Sequence, residues 1–198
     1  MTPLGDIESF PLRGAWTGNR GILHAGREVV RFHASDLWIT CALQFKGWWH
    51  EQWRPHRFTW LYFHDEAVSF AAGHRPCALC RREAYNAYRF AWSTAYGERP
   101  PSANEINRRL HHERIVRGTH TRRTHALPWA SLPDGAFVVH EDAPWVVARS
   151  DLVKWTRDGY SDRRPRPARG TANVITPPSS VAVLRAGYPV QIDAAVLD

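Results

Sequence analysis

Two cysteines three positions apart, Cys77-Ala-Leu-Cys80, constrain this chain's fold more than any other feature. Thiolates at that spacing grip one Zn²⁺ when the turn between them aims backbone N–H groups at the sulfurs, and a tetrahedral ion then needs two further ligands. One other cysteine exists, Cys41, and eleven histidines are available for the remaining position. A Cys3His zinc site therefore requires the chain to bring residue 41 back to the turn at 77–80. Pro76 stiffens the approach to that turn, and Arg75 and Arg81 offset thiolate charge. An odd number of cysteines without a secretory leader argues against a disulfide framework. Redox dithiols share the spacing, but they follow a strand and open a helix. Here the pair follows a short helical pattern ending in Gly73.

The chain of 198 residues carries 26 Lys+Arg against 19 Asp+Glu, a net charge of +7. Only Lys46 and Lys154 are lysines, so 24 of the basic residues are arginine. A GC-rich genome accounts for the Arg/Lys ratio but not for the net charge, which favours an anionic partner, nucleic acid first among them. Arginine also suits bidentate contacts to phosphate. Mean hydropathy is −0.46, and no apolar run approaches the ~18 residues needed to cross a bilayer. The first residues have neither the basic nor the apolar region of a secretory signal, so a cytoplasmic protein without membrane association is expected.

Hydrophobic periodicity predicts strands near 20–24, 28–32, 37–45 and 58–63. A short helix follows Asp65, and a longer one runs from 82 to about 95 with Tyr85, Tyr88 and Trp92 on one face. Ser102 and Glu105 read as a capping box opening a helix to about 116. Residues 117–126 read as a basic loop. Strands are expected at 136–140, 145–149, 152–155 and 171–175, with 161–170 too rich in Pro and Arg to be regular. A last short helix, capped by Ser179 or Ser180, ends at Gly187. The expected fold class is α+β: a small zinc-stabilised β-hairpin/helix module (17–95), a connecting helix (102–116) and a β-rich C-terminal part (130–198).

The pattern Gly18-Asn19…His24…Cys41…Leu61-Tyr62-Phe63…Glu66-Ala67…Ala72-Gly73-His74-Arg75-Pro76-Cys77-x-x-Cys80-Arg81 resembles the Ada-type metal-binding domain of DNA repair over about residues 17–82. The remainder resembles bacterial proteins in which that module is extended, a likeness that implies no activity. The resemblance implies that Cys77 and Cys80 are the second ligand pair and Cys41 one member of the first. It places His24 as the fourth ligand, with His33, His50 and His74 as alternatives. The family's reactive cysteine falls at Leu37 here, so the likeness fails at the methyl acceptor. Chemistry points the same way: replacing one of four thiolates by neutral imidazole takes the zinc complex from −2 to −1 and leaves a poorer sulfur nucleophile. A structural zinc is the implied outcome.

For nucleic acid, the candidate contacts are Arg75, Arg81 and Arg82 beside the zinc turn, with Arg122 and Arg123 in the basic loop. Arg117 and the tail residues Arg163, Arg164, Arg166 and Arg169 supplement them. Trp48, Trp49 and Trp53, interleaved with His50 and Arg54, can form a stacking platform. The leading expectation is a zinc-binding nucleic-acid-binding protein, with DNA ahead of RNA. One alternative is a nuclease or base-modifying enzyme using His111, His112, His120 or His125. The other is a metal-stabilised protein-interaction module.

Overall fold

The computed structural model describes residues 1–197, and the fold is α+β. Strands β1 (Trp16–Asn19), β4 (Ile39–Cys41), β5 (Leu61–Phe63) and β6 (Arg75–Pro76) make one sheet in the order β5-β1-β4-β6. A two-stranded ribbon, β2 (His24–Ala25) with β3 (Glu28–Val29), stands beside it. β1 occupies a stretch whose Thr-Gly-Asn reads as a turn. Gly18 is required there because a Cβ would lie 2.3 Å from the Phe63 ring.

Helix α1 (Glu66–Ala71) begins at Asp65, whose Oδ1 accepts from Val68 N–H at 2.7 Å. It ends in a Schellman motif: Gly73 N–H bonds to Phe70 O and His74 N–H to Ser69 O, both at 2.9 Å. Gly73 has φ +85°, the left-handed conformation that this motif demands and glycine takes without strain. Helix α2 (Arg82–Tyr96) buries Tyr85, Tyr88, Ala91 and Trp92, the face its spacing predicts. Helix α3 (Ala103–Arg114) opens on the expected capping box. Glu105 Oε2 accepts from Ser102 N–H at 2.7 Å, and Ser102 Oγ accepts from Glu105 N–H.

The C-terminal part is a six-stranded antiparallel sheet in the order β11-β10-β9-β8-β12-β7, built from β7 (His125–Pro128), β8 (Phe137–His140), β9 (Ala143–Ala148), β10 (Asp151–Thr156), β11 (Gly159–Pro165) and β12 (Thr171–Val174). Two strands run into stretches expected to be irregular: β7 begins in the last two residues of 117–126, and β11 covers the first half of 161–170. Both are edge strands and both end in proline, Pro128 and Pro165, where a missing N–H costs no ladder bond. Helix α4 (Pro178–Arg185) has no side-chain cap of its own. Glu113 of α3 replaces it, accepting from Ser179 N–H at 2.9 Å and Ser179 Oγ at 2.6 Å. A last turn, α5 (Ala194–Leu197), completes the described chain.

The two parts share one core. Phe63, Ala67 and Val68 pack with Phe137, Val146, Trp155 and Ile175 in a single buried cluster. A second cluster joins Tyr88 and Trp92 of α2 to Val183 and Leu184 of α4. The parts therefore meet directly through α1, α2 and α4, rather than only through the connecting helix. Residues 1–16 join this core as well, with Met1 buried and Leu4, Ile7, Phe10 and Leu12 packed on it.

Candidate metal centre

Strand register brings the three cysteines together. β4 and β6 run parallel with Thr40 opposite Pro76, so the next residues along, Cys41 and Cys77, are neighbours. Cys77 N–H extends the ladder by one bond, to Thr40 O at 2.9 Å. Cys80 follows one turn later, just before α2. The Sγ atoms of Cys41, Cys77 and Cys80 all lie within 4.8 Å of one another. A tetrahedral zinc with Zn–S bonds of about 2.3 Å sets its sulfurs about 3.8 Å apart, so the set fits such an ion. The turn also does what a thiolate pair needs: Leu79 N–H points to Cys77 Sγ at 3.4 Å.

The thiols share their protons unequally. Hydrogen bonds from Cys41 and then Cys80 hold the Cys77 thiol far below its ordinary range, although burial opposes this. The bond to Cys77 drives Cys41 upward. Metal entry would release the protons that the three sulfurs share. Three soft sulfur donors suit zinc and other thiophilic ions.

Among the described residues, no histidine or carboxylate joins the three sulfurs within 4.8 Å. The expected fourth ligand, His24, is buried in β2 with Nδ1 2.7 Å from Thr59 Oγ1 and its ring edge-on to Trp53. His74 is buried at the end of α1, where its Nε2 accepts from Arg20 Nε at 3.2 Å; its role is packing. His33 packs near Trp38, His111 and His120. His50 alone of the four lines the cavity of about 620 Å³ that the three cysteines also line.

Three of the five arginines expected to meet phosphate are internal. Arg75 is 2% exposed and donates to Asn107 Oδ1 at 2.9 Å and Pro76 O at 2.8 Å. Arg81 lies on the Trp16 ring and pairs with buried Glu66 at 2.7 Å. Arg122 turns inward and donates to Ala71 O at the end of α1. Sequence position places Arg75 and Arg81 beside the cysteine turn and Arg122 in the basic loop but does not report where each guanidinium points. Arg82 and Arg123 are exposed, and Arg123 Nε donates to Ile115 O at 2.9 Å.

The stacking platform is positioned differently. Trp48 and Trp49 are 65% and 75% exposed, and they line the cysteine cavity with Arg54 and Arg57. Trp53 is half-buried, edge-on to His24, and lines a separate cavity with Trp49 and Arg54. Of the four alternative catalytic histidines, His111, His112 and His120 line one cavity of about 340 Å³ with His33, Arg117 and Arg123. His125 is elsewhere, its Nε2 2.7 Å from Glu113 O. No helix among the described residues is long and apolar enough to cross a membrane. Family models, curated proteins and solved structures contain no match to the chain, so its function is read from this geometry.

Proposed function

We propose that this is a zinc-binding protein that binds nucleic acid, with Cys41, Cys77 and Cys80 as metal ligands and DNA the first candidate partner. The observation that carries the reading is the wall of the cysteine cavity: two tryptophans stand out into solvent there beside two arginines. Exposed indoles are costly unless they meet a partner, and bases offer the flat faces they stack on, while Arg54 and Arg57 offer phosphate contacts. The zinc is structural, since Leu37 occupies the position of the methyl-accepting cysteine in the Ada-type pattern.

Titration of the zinc-loaded protein with fluorescent single-stranded DNA and RNA, at low and at moderate salt, tests this. Steep loss of affinity with salt together with tryptophan quenching supports it. No binding at low salt refutes it and leaves a protein-interaction module. A second reading rests on the histidine cavity, where imidazoles and arginines offer acid–base groups and phosphate contacts. Cleaved or altered oligonucleotide in the same samples, lost in His111→Ala and His120→Ala, selects that reading.

A further inference from the structure

Three thiolates around one zinc require a fourth donor, and a neutral imidazole is the commonest partner of a sulfur set. His24 and His50 both carry a buried Nε2 without a hydrogen-bond partner. Their other ring nitrogens distinguish them. His50 Nδ1 lies 2.9 Å from Glu51 O. A carbonyl oxygen only accepts, so Nδ1 carries the proton and the neutral ring keeps its lone pair on Nε2. This is the arrangement metal-binding histidines adopt, with one nitrogen donated to a backbone carbonyl and the other free for the ion. His24 Nδ1 instead faces the Thr59 hydroxyl, which can donate or accept and so leaves the tautomer open.

His50 belongs to a segment packed as one unit. The ring is stacked on Trp60 (centroids 4.7 Å apart, 29° between planes) and edge-on to Phe58 at 4.7 Å. Its carbonyl accepts from Trp60 Nε1 at 2.9 Å. Gln52 fastens the same segment to the Trp60 backbone through two bonds of 2.9 Å. Only 8% of the residue is exposed. An unpaired imidazole nitrogen so enclosed has lost its water without gaining a partner, a cost that a bound ion removes.

We infer that His50 Nε2 is the fourth ligand of an ion held by Cys41, Cys77 and Cys80, and that the ion thereby ties the segment carrying Trp48 and Trp49 to the cysteine turn. The inference rests on the three-cysteine metal reading and adds to it. His50 Nε2 is not within 4.8 Å of all three sulfurs, so ligation closes this segment onto the cysteine turn, and the Ala42–Trp49 loop carries a pivot for that closure: Lys46 and Gly47 both have positive φ, at 49° and 69°. The ligands then fall into two pairs along the chain, 41/50 and 77/80.

The test uses full-length protein loaded with zinc or cobalt(II), read by X-ray absorption and by competition with a chromophoric chelator. The parent is expected to bind one ion per chain with three sulfurs and one imidazole nitrogen. Loss of partners outside the first shell weakens metal sites by about 10–100-fold, so His50→Ala, which removes a ligand itself, should weaken binding by at least ~100-fold and erase the imidazole signal. His24→Ala should bind within about threefold of the parent, a change below that range. A gain-of-ligand variant covers the case in which His50→Ala fails to fold: His50→Cys should show four sulfurs and stronger thiolate-to-cobalt absorption, and His24→Cys should not. An imidazole signal that persists in His50→Ala, or that disappears in His24→Ala, overturns the assignment while leaving the cysteine site intact. A parent that binds no stoichiometric ion, or a Cys77→Ser variant that binds as the parent does, overturns the metal reading itself.

Discussion

Glu66 is the residue whose loss tests the packing of this fold most directly. It is 1% exposed, and its carboxylate meets three elements. Oε1 pairs with Arg81 at 2.7 Å and accepts from Tyr188 Oη at 2.8 Å, and Oε2 accepts from Gln191 N–H at 3.1 Å. It thus ties α1 to the residue after Cys80 and to the C-terminal tail. Glu66→Ala leaves Arg81 charged against Trp16 with no counter-ion. Removing one member of a buried pair costs about 3–5 kcal/mol, because the other charge stays buried. At about 2–4 °C per kcal/mol for a chain of this size, the melting temperature should fall by roughly 6–20 °C. Urea unfolding followed by tryptophan fluorescence, with zinc held in excess, gives the free energy directly. If the penalty is the stranded guanidinium, adding Arg81→Met to Glu66→Ala should make the pair less destabilising than the sum of the singles, by roughly 2 kcal/mol. A Glu66→Ala loss below about 1 kcal/mol, the scale of an exposed pair, or strict additivity in the cycle, refutes the argument.

Other outcomes follow from the same geometry. Chelation of zinc, or Cys77→Ser, should lower the melting temperature by about 8–16 °C if the free ion stands near a thousand times its dissociation constant, worth about 4 kcal/mol; calorimetry with and without chelator checks it. Burial and then Arg114 push His111 down to about 4 from 6.5. The unfolded chain therefore binds the proton first, and stability should fall as pH drops from 6.5 toward 4; His111→Asn should flatten that slope in urea midpoints measured across the range. His74, driven down by burial and then by Arg20, adds loss of the same sign, so some slope should persist in the variant. Trp48→Ala and Trp49→Ala should each weaken single-stranded DNA binding by about 1–3 kcal/mol without changing stability, as read by anisotropy and melting. Arg82→Ala should lower the salt dependence of binding by about one unit, while Arg75→Ala should leave that dependence alone and destabilise the protein.

Local chemistry was legible in the sequence, and long-range geometry was not. The Asp65 cap, the Ser102/Glu105 box and the aromatic face of α2 are written in spacings of three to four residues, and the structure shows each of them. The return of Cys41 to Cys77 was legible only as a requirement of metal chemistry. Its means, a parallel pairing of β4 with a two-residue strand, leaves no periodic trace. β1 was hidden because Gly18 reads as a turn unless the Phe63 ring above it is known. The arginines misled for a related reason: charge in a sequence has no direction, and Arg75, Arg81 and Arg122 point inward. The tryptophan platform was half legible, since adjacency placed Trp48, Trp49 and Trp53 together but only the fold separates the two exposed indoles from the third. His50 was legible only as one of three alternatives to His24, with nothing in the sequence to prefer it.

The inward arginines change what the net charge means. Helix α1 has six residues, too few to be stable alone, and three successive carbonyls at and just past its C-terminus are each taken by a guanidinium. Arg122 donates to Ala71 O, Arg20 to Ala72 O at 3.2 Å and Arg114 to Gly73 O at 2.9 Å. Arg20 and Arg114 also lie on Trp38, each 3.8 Å from its ring. The partial negative charge of a helix C-terminus, with the indole face, stands in for carboxylates here. The peptide leaving this cage is Gly73-His74-Arg75-Pro76, which becomes β6 and delivers Cys77 to the site, so the arginines position the cysteine turn. With Arg75 and Arg81 included, five guanidiniums lie inside against two buried carboxylates, Asp65 and Glu66. Three of the seven excess positive charges are therefore internal. The remaining field is too modest to hold a polyanion by net charge alone, and binding must come from local contacts, which places the weight on Trp48, Trp49, Arg54 and Arg57 around the cysteine cavity.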